Sequence, residues 1–227
     1  FNTLAAADSI IVGDLGDATT VGNIDVTGSG TVVFDGAPAA TSIGNVTAAV
    51  AQGEIVSLMG NPTQAGGEGG SIGAAGGVMG STTVTGAGQF NMMIGAVAAL
   101  GNIDLGGLTG TTSSSNIILN VNTVVGVVFT GSGGDDNFTG TGGSDVITPG
   151  LGADRITTGG GQDVIDLTET VASGDEIIAA PTLITLGNAT GSGSIDQITG
   201  FTPGAGGDTI VFEKAAWTKA NITFEDQ

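Results

Sequence analysis

Cysteine, histidine and tyrosine are absent from this chain of 227 residues, and only 3 residues are lysine or arginine. Each absence removes a class of chemistry. Without cysteine there is no disulfide framework, so a chain working outside the cell needs another staple, and metal ions are a common one. Without cysteine or histidine, transition-metal sites are disfavoured, whereas hard cations that prefer oxygen need only carboxylates and carbonyls. A zinc protease of the His-Glu-x-x-His type is excluded on the same ground. Residues 69–73 match the nucleophile-elbow pattern Gly-x-Ser-x-Gly, but no histidine exists to complete a triad.

The shortage of positive charge acts more broadly. Against 22 acidic residues it leaves a formal net charge of −19 and no basic side chain in residues 1–130. Such a chain repels phosphate backbones and anionic lipid, which argues against nucleic-acid and membrane partners and in favour of cations. No apolar run reaches the length of a membrane span; MMIGAVAAL, ending at Leu100, is far too short. No signal peptide is evident, and a start at Phe1 suggests a processed chain or a fragment of something longer.

What is present points to β-structure. Glycine accounts for 44 residues and aromatics for only 4%, so the interior must be filled by Val, Ile, Leu, Ala and Thr, which suit thin, repetitive β stacks. Residues 1–65 alternate short apolar runs with Gly, Asn and Asp, the signature of short strands and turns. The tripeptides Gly22-Asn23-Ile24, Gly44-Asn45-Val46 and Gly101-Asn102-Ile103 hint at a degenerate repeat of stacked coils. Residues 66–80 read as a glycine-rich surface loop, and 89–100 as a buried helix or strand that periodicity does not separate. Residues 116–130 are strongly β, and 213–221 look like a short helix.

Between Gly131 and Asp166 four nonapeptides follow one another without insertion: GSGGDDNFT, GTGGSDVIT, PGLGADRIT and TGGGQDVID. Glycine holds the fourth place (Gly134, Gly143, Gly152, Gly161) and aspartate the sixth (Asp136, Asp145, Asp154, Asp163). A large apolar residue holds the eighth: Phe138, Ile147, Ile156 and Ile165. If two repeats complete a coil, Asp136 stacks on Asp154 and Asp145 on Asp163, in two columns on opposite edges. Stacked carboxylates about 5 Å apart repel by roughly 1 kcal/mol in water and about 3 to 4 kcal/mol at an effective dielectric near 20. Over several rungs that rivals the stability of a small domain, about 5 to 15 kcal/mol, so a cation between rungs and folding should be coupled. The alternative for the same aspartates is turn formation in a calcium-free coil.

The array resembles the RTX nonapeptide family, Gly-Gly-x-Gly-x-Asp-x-U-x with U a large apolar residue. That resemblance implies a calcium-bound parallel β-roll, found largely in secreted bacterial proteins. It departs from the family pattern at Ser132, Thr141, Pro149 and Thr158, where glycine is usual, and at Leu151 in a third place. Asp196 and Asp208 fall in DQITGFTPGAGGDTI, similar to a segment that often follows RTX arrays, which implies a further calcium site.

The expected fold is therefore all-β: a right-handed parallel β-roll or β-helix over 131–166, preceded by a Gly/Thr/Val-rich β domain at 1–130 (β-helix or β-sandwich) and followed by a C-terminal β region at 167–227. The expected function is non-enzymatic. The chain resembles bacterial surface-layer proteins of the RTX class: secreted, at the cell surface, self-assembling into a lattice or filament with Ca2+, and in possible contact with cell-surface polysaccharide. Two alternatives stand beside it. One is an adhesive module of an RTX adhesin; the other is a β-helix polysaccharide lyase, for which Arg155, Lys214 and Lys219 are the only candidate bases.

Overall fold

The computed structural model describes residues 9–12, 20–27, 30–34, 42–60, 77–95, 97–110, 112–119, 123, 125–169, 173–179, 183–186, 195–202, 204–212 and 222–223. Among them there is no helix, and every strand pairing is parallel. The segment 213–221, expected to be helical, lies outside the described residues, as do residues 69–73 with their elbow-like motif.

The chain deals its strands to three sheets in turn. β1 (Ser9–Val12), β2 (Thr20–Val21) and β3 (Ile24–Thr27) enter sheets one, two and three. Three more triplets repeat the order: β4 (Gly30–Phe34), β5 (Ser42–Ile43) and β6 (Val46–Val50); β7 (Ile55–Gly60), β8 (Val78–Met79) and β9 (Thr82–Gly86); β10 (Gln89–Ile94), β11 (Ala99–Leu100) and β12 (Ile103–Leu108). Each strand pairs with the strand three places before it, as β6 does with β3. Sheet two then receives no further described strand. β13 (Ser114–Leu119), β15 (Asp136–Thr139) and β17 (Arg155–Thr157) extend sheet one, while β14 (Val128–Thr130), β16 (Val146–Thr148) and β18 (Val164–Asp166) extend sheet three. β19 (Glu176–Ala179) and β22 (Thr209–Phe212) end sheet one; β20 (Leu183–Leu186), β21 (Ile195–Thr199) and β23 (Ile222–Thr223) end sheet three.

This order is consistent with a parallel β-helix or β-roll. For the first part of the chain it favours the helix over a β-sandwich, whose hairpin-linked strands would pair antiparallel. The sheets run through the start of the nonapeptides without a break, since β13 pairs with β15.

Strand formation follows from alternation. In β6, Val46, Ala48 and Val50 are buried while Thr47 and Ala49 are exposed; β10 buries Phe90, Met92 and Ile94 in the same period of two, so the segment read as helix or strand gives strand at 89–94 and again at 99–100. The apolar run 116–130 is divided between β13 and β14, in different sheets. Glycine is required before β14 because Gly126 passes so close to the next coil that a Cβ there would lie 1.7 Å from the Ser144 carbonyl oxygen.

The core is a set of ladders. Ile117, Phe138, Ile156 and Ile177 stack along sheet one, and Ile103, Phe129, Ile147, Ile165 and Ile198 along sheet three, all essentially without solvent contact. Where the three-sheet part gives way to the two-sheet part, the Phe129 and Phe138 rings stack with centroids 4.2 Å apart. The asparagine tripeptides stack as well: the N–H of Asn45 donates to Asn23 Oδ1 and that of Ser81 to Asn45 Oδ1, each at 3.1 Å. Gly44 and Gly80 are needed because a Cβ at either would lie within 2.6 Å of the asparagine oxygen beneath.

Candidate metal centre

Each nonapeptide aspartate stands at the entrance of a strand, and all four are buried. The pairing of β15 with β17 and of β16 with β18 sets Asp136 level with Asp154 in sheet one and Asp145 level with Asp163 in sheet three. Within each column the aspartates are joined through the backbone rather than simply opposed. The N–H of Asp136 donates to Asp154 Oδ1 (2.8 Å), and that of Asp145 to Asp163 Oδ1 (2.9 Å). Each carboxylate therefore caps the rung beside it, and the repulsion expected from charge alone is offset by these bonds.

The first column is longer than the repeats suggest. The N–H of Asp154 donates to Asp175 Oδ1 (3.0 Å), and that of Asp175 to Asp208 Oδ1 (3.1 Å). Asp208, expected as a ligand, thus stands in the same column as Asp136 and Asp154. The member between, Asp175, is not marked by the nonapeptide register because it follows Asp154 by 21 residues instead of 18. The signal that finds it is local: Gly174-Asp175-x-Ile177 keeps the Asp-x-Ile pair of the array. Asp196 lies in β21, where the pairing Val164↔Gln197 brings it level with Asp163; its side chain lies outside the described residues.

Burial dominates the electrostatics. It pushes the Asp154 carboxyl from its ordinary 3.8 up to about 8, with the charges of Asp136, Asp175 and Glu169 adding to the shift and the Asp136 N–H opposing it. Asp175 rises to about 7, again through burial first, with Glu169 and Asp208 contributing. Asp136 is raised too, burial outweighing its bonds to Ser132.

Asp154, Glu169 and Asp175 form a cluster that can hold a metal ion: one carboxylate oxygen from each lies within 4.8 Å of the others. Calcium, at about 2.3 to 2.6 Å from its oxygens, spans ligands up to about 5 Å apart, so one ion reaches all three. The state of the donors suits one. Asp154 and Asp175 are each 1% exposed, and Oδ2 of both has no hydrogen-bond partner, a costly state for a buried carboxylate. Beside the cluster, a cavity of about 240 Å³ is lined by Glu169, Ser173, Thr202 and Asp208. Ser173 Oγ donates to Glu169 Oε2 at 2.6 Å, which holds that side chain at the cavity wall. Arg155 brings no compensation: it is half exposed and pairs outward with Glu176 at 2.6 Å.

The four turn glycines divide into two kinds. Gly152 (φ +118°) and Gly161 (φ +110°) occupy the left-handed region, which a side chain disfavours. Gly134 and Gly143 do not; Gly134 is required by close approach, a Cβ there lying 2.2 Å from the Ser113 carbonyl oxygen.

Compared with family models, with curated proteins and with solved structures, the chain matches none.

Proposed function

We propose that the chain is a calcium-stabilised, non-enzymatic structural protein of the bacterial exterior, an RTX-class subunit that assembles with copies of itself into a surface layer or filament. The observation that carries this reading is the buried carboxylate column, whose bare oxygens at Asp154 and Asp175 meet no positive side chain among the described residues. A cation fills that role, and the nonapeptide pattern favours calcium among the hard ions.

Self-assembly rests on the molecule's outer face. Val128, Val146 and Val164 stack in register on sheet three and are 42%, 43% and 38% exposed. Such an apolar ladder on a chain of net charge −19 suits contact with a second copy once calcium has screened the mutual repulsion. Among the described residues the sole basic side chain, Arg155, is engaged with Glu176.

Calcium chloride added to purified protein should produce ordered sheets or fibres in negative stain, and V146K should bind calcium yet remain dispersed. Persistent monomers of the unaltered chain at saturating calcium would overturn self-assembly and favour the adhesive module.

A further inference from the structure

The nonapeptide turns are not equivalent, and the difference lies at their second place. In the first two turns that place holds Ser132 and Thr141. Ser132 donates from its N–H to Asp136 Oδ2 (2.6 Å) and from its hydroxyl to Asp136 Oδ1 (2.9 Å). Thr141 repeats the pattern on Asp145, with its N–H to Oδ2 and its hydroxyl to Oδ1, each at 2.8 Å. The N–H of Val127 also reaches Asp145 Oδ1, at 2.8 Å. Every carboxylate oxygen of Asp136 and Asp145 thus faces a proton donor of the protein itself.

The third and fourth turns hold Gly150 (φ +107°) and Gly159 (φ +87°) at that place. This is a left-handed backbone that serine or threonine rarely adopts. Gly150 has no hydroxyl to offer, and Asp154, whose Oδ2 has no hydrogen-bond partner, lies in the cluster with Glu169 and Asp175. The column closes again at its far end, where the N–H of Thr202 donates to Asp208 Oδ2 at 2.7 Å.

We propose that Ser132 and Thr141 stand in for a cation, so that the first two turns are complete without calcium and the ion of sheet one is confined to the Asp154–Glu169–Asp175 cluster. This rests on the calcium reading above and sharpens it: two of the four aspartates matching the family motif are self-satisfied, while two ligands, Glu169 and Asp175, come from beyond the repeats.

The test is calcium binding by the full chain, measured by equilibrium dialysis and titration calorimetry on the unaltered protein, S132G/T141G and E169Q. Replacing the hydroxyl-bearing residues by glycine should raise the calcium bound per chain by about one ion per turn restored to the glycine form. It should also lower the melting temperature in chelator but not in calcium. E169Q should weaken the strongest binding step by about tenfold or more, by removing one ligand charge. An unchanged stoichiometry in S132G/T141G, or an unchanged affinity in E169Q, overturns the inference while leaving calcium binding intact. Absence of calcium binding by the unaltered chain overturns the calcium reading itself.

Discussion

At the scale of the residue, the informative groups are Asp154 and Asp175, carboxyls raised by burial to about 8 and about 7 from an ordinary 3.8. A carboxyl raised on folding keeps its proton in the native state over a pH range in which the unfolded chain has lost it. The stabilisation this gives is fully present below about pH 4 and is lost as pH rises through the folded values of about 7 to 8. In chelator, thermal unfolding should therefore show higher stability near pH ~5.5 than near pH ~8, and saturating calcium should remove the difference. The general repulsion of a chain at −19 acts in the same direction. D154N/D175N separates the two: it should abolish most of the slope, whereas a slope of unchanged size would assign the effect to overall charge.

At the scale of the element, two polar ladders hold successive coils in register. The asparagine ladder through Asn23 and Asn45 belongs to the three-sheet part, and the aspartate ladder to the two-sheet part. N45A removes the acceptor for the Ser81 N–H at an exposed site and should cost about 0.5 to 1.5 kcal/mol in denaturant unfolding. G44A should cost more, because its Cβ meets the Asn23 backbone nitrogen at 2.9 Å as well as the asparagine oxygen. Equal costs for the two would mean that close approach of the turns is not what fixes the glycine. These ladders also show how far the sequence could be read. The nine-residue spacing fixed the two aspartate columns and the Phe138, Ile147, Ile156 and Ile165 core because every rung is the same length. Asp175 was obscured, and the asparagine ladder was legible only as the irregularly spaced tripeptides at Asn23 and Asn45, because parallel coils tolerate insertions at their corners: spacings of 21, 22 and 36 residues return the chain to the same place in the sheet. Glu169 carries no sequence signal; it reaches Asp154 and Asp175 only through the path of the chain beyond β18.

At the scale of the whole molecule, a stack of this kind is held coil by coil, so its stability need not be uniform. Calcium should act where its ligands are. In chelator, backbone amides of β17, β19 and β22 should exchange hydrogen at least about tenfold faster than in calcium, while those of β6, β9 and β10 change little. Uniform acceleration across both groups would show instead that the stack melts as one cooperative unit. The two ladders also run in opposite senses, and this gives the molecule an order of completion in time. In the asparagine ladder each new coil donates to a side chain already laid down, so a growing chain can close every rung as it emerges. In the aspartate ladder each amide waits for the carboxylate of the coil still to come. A nascent chain that has reached only Thr168 has every partner for Asn23 and Asn45 but none for the Asp154 amide, which stays open until Asp175 arrives.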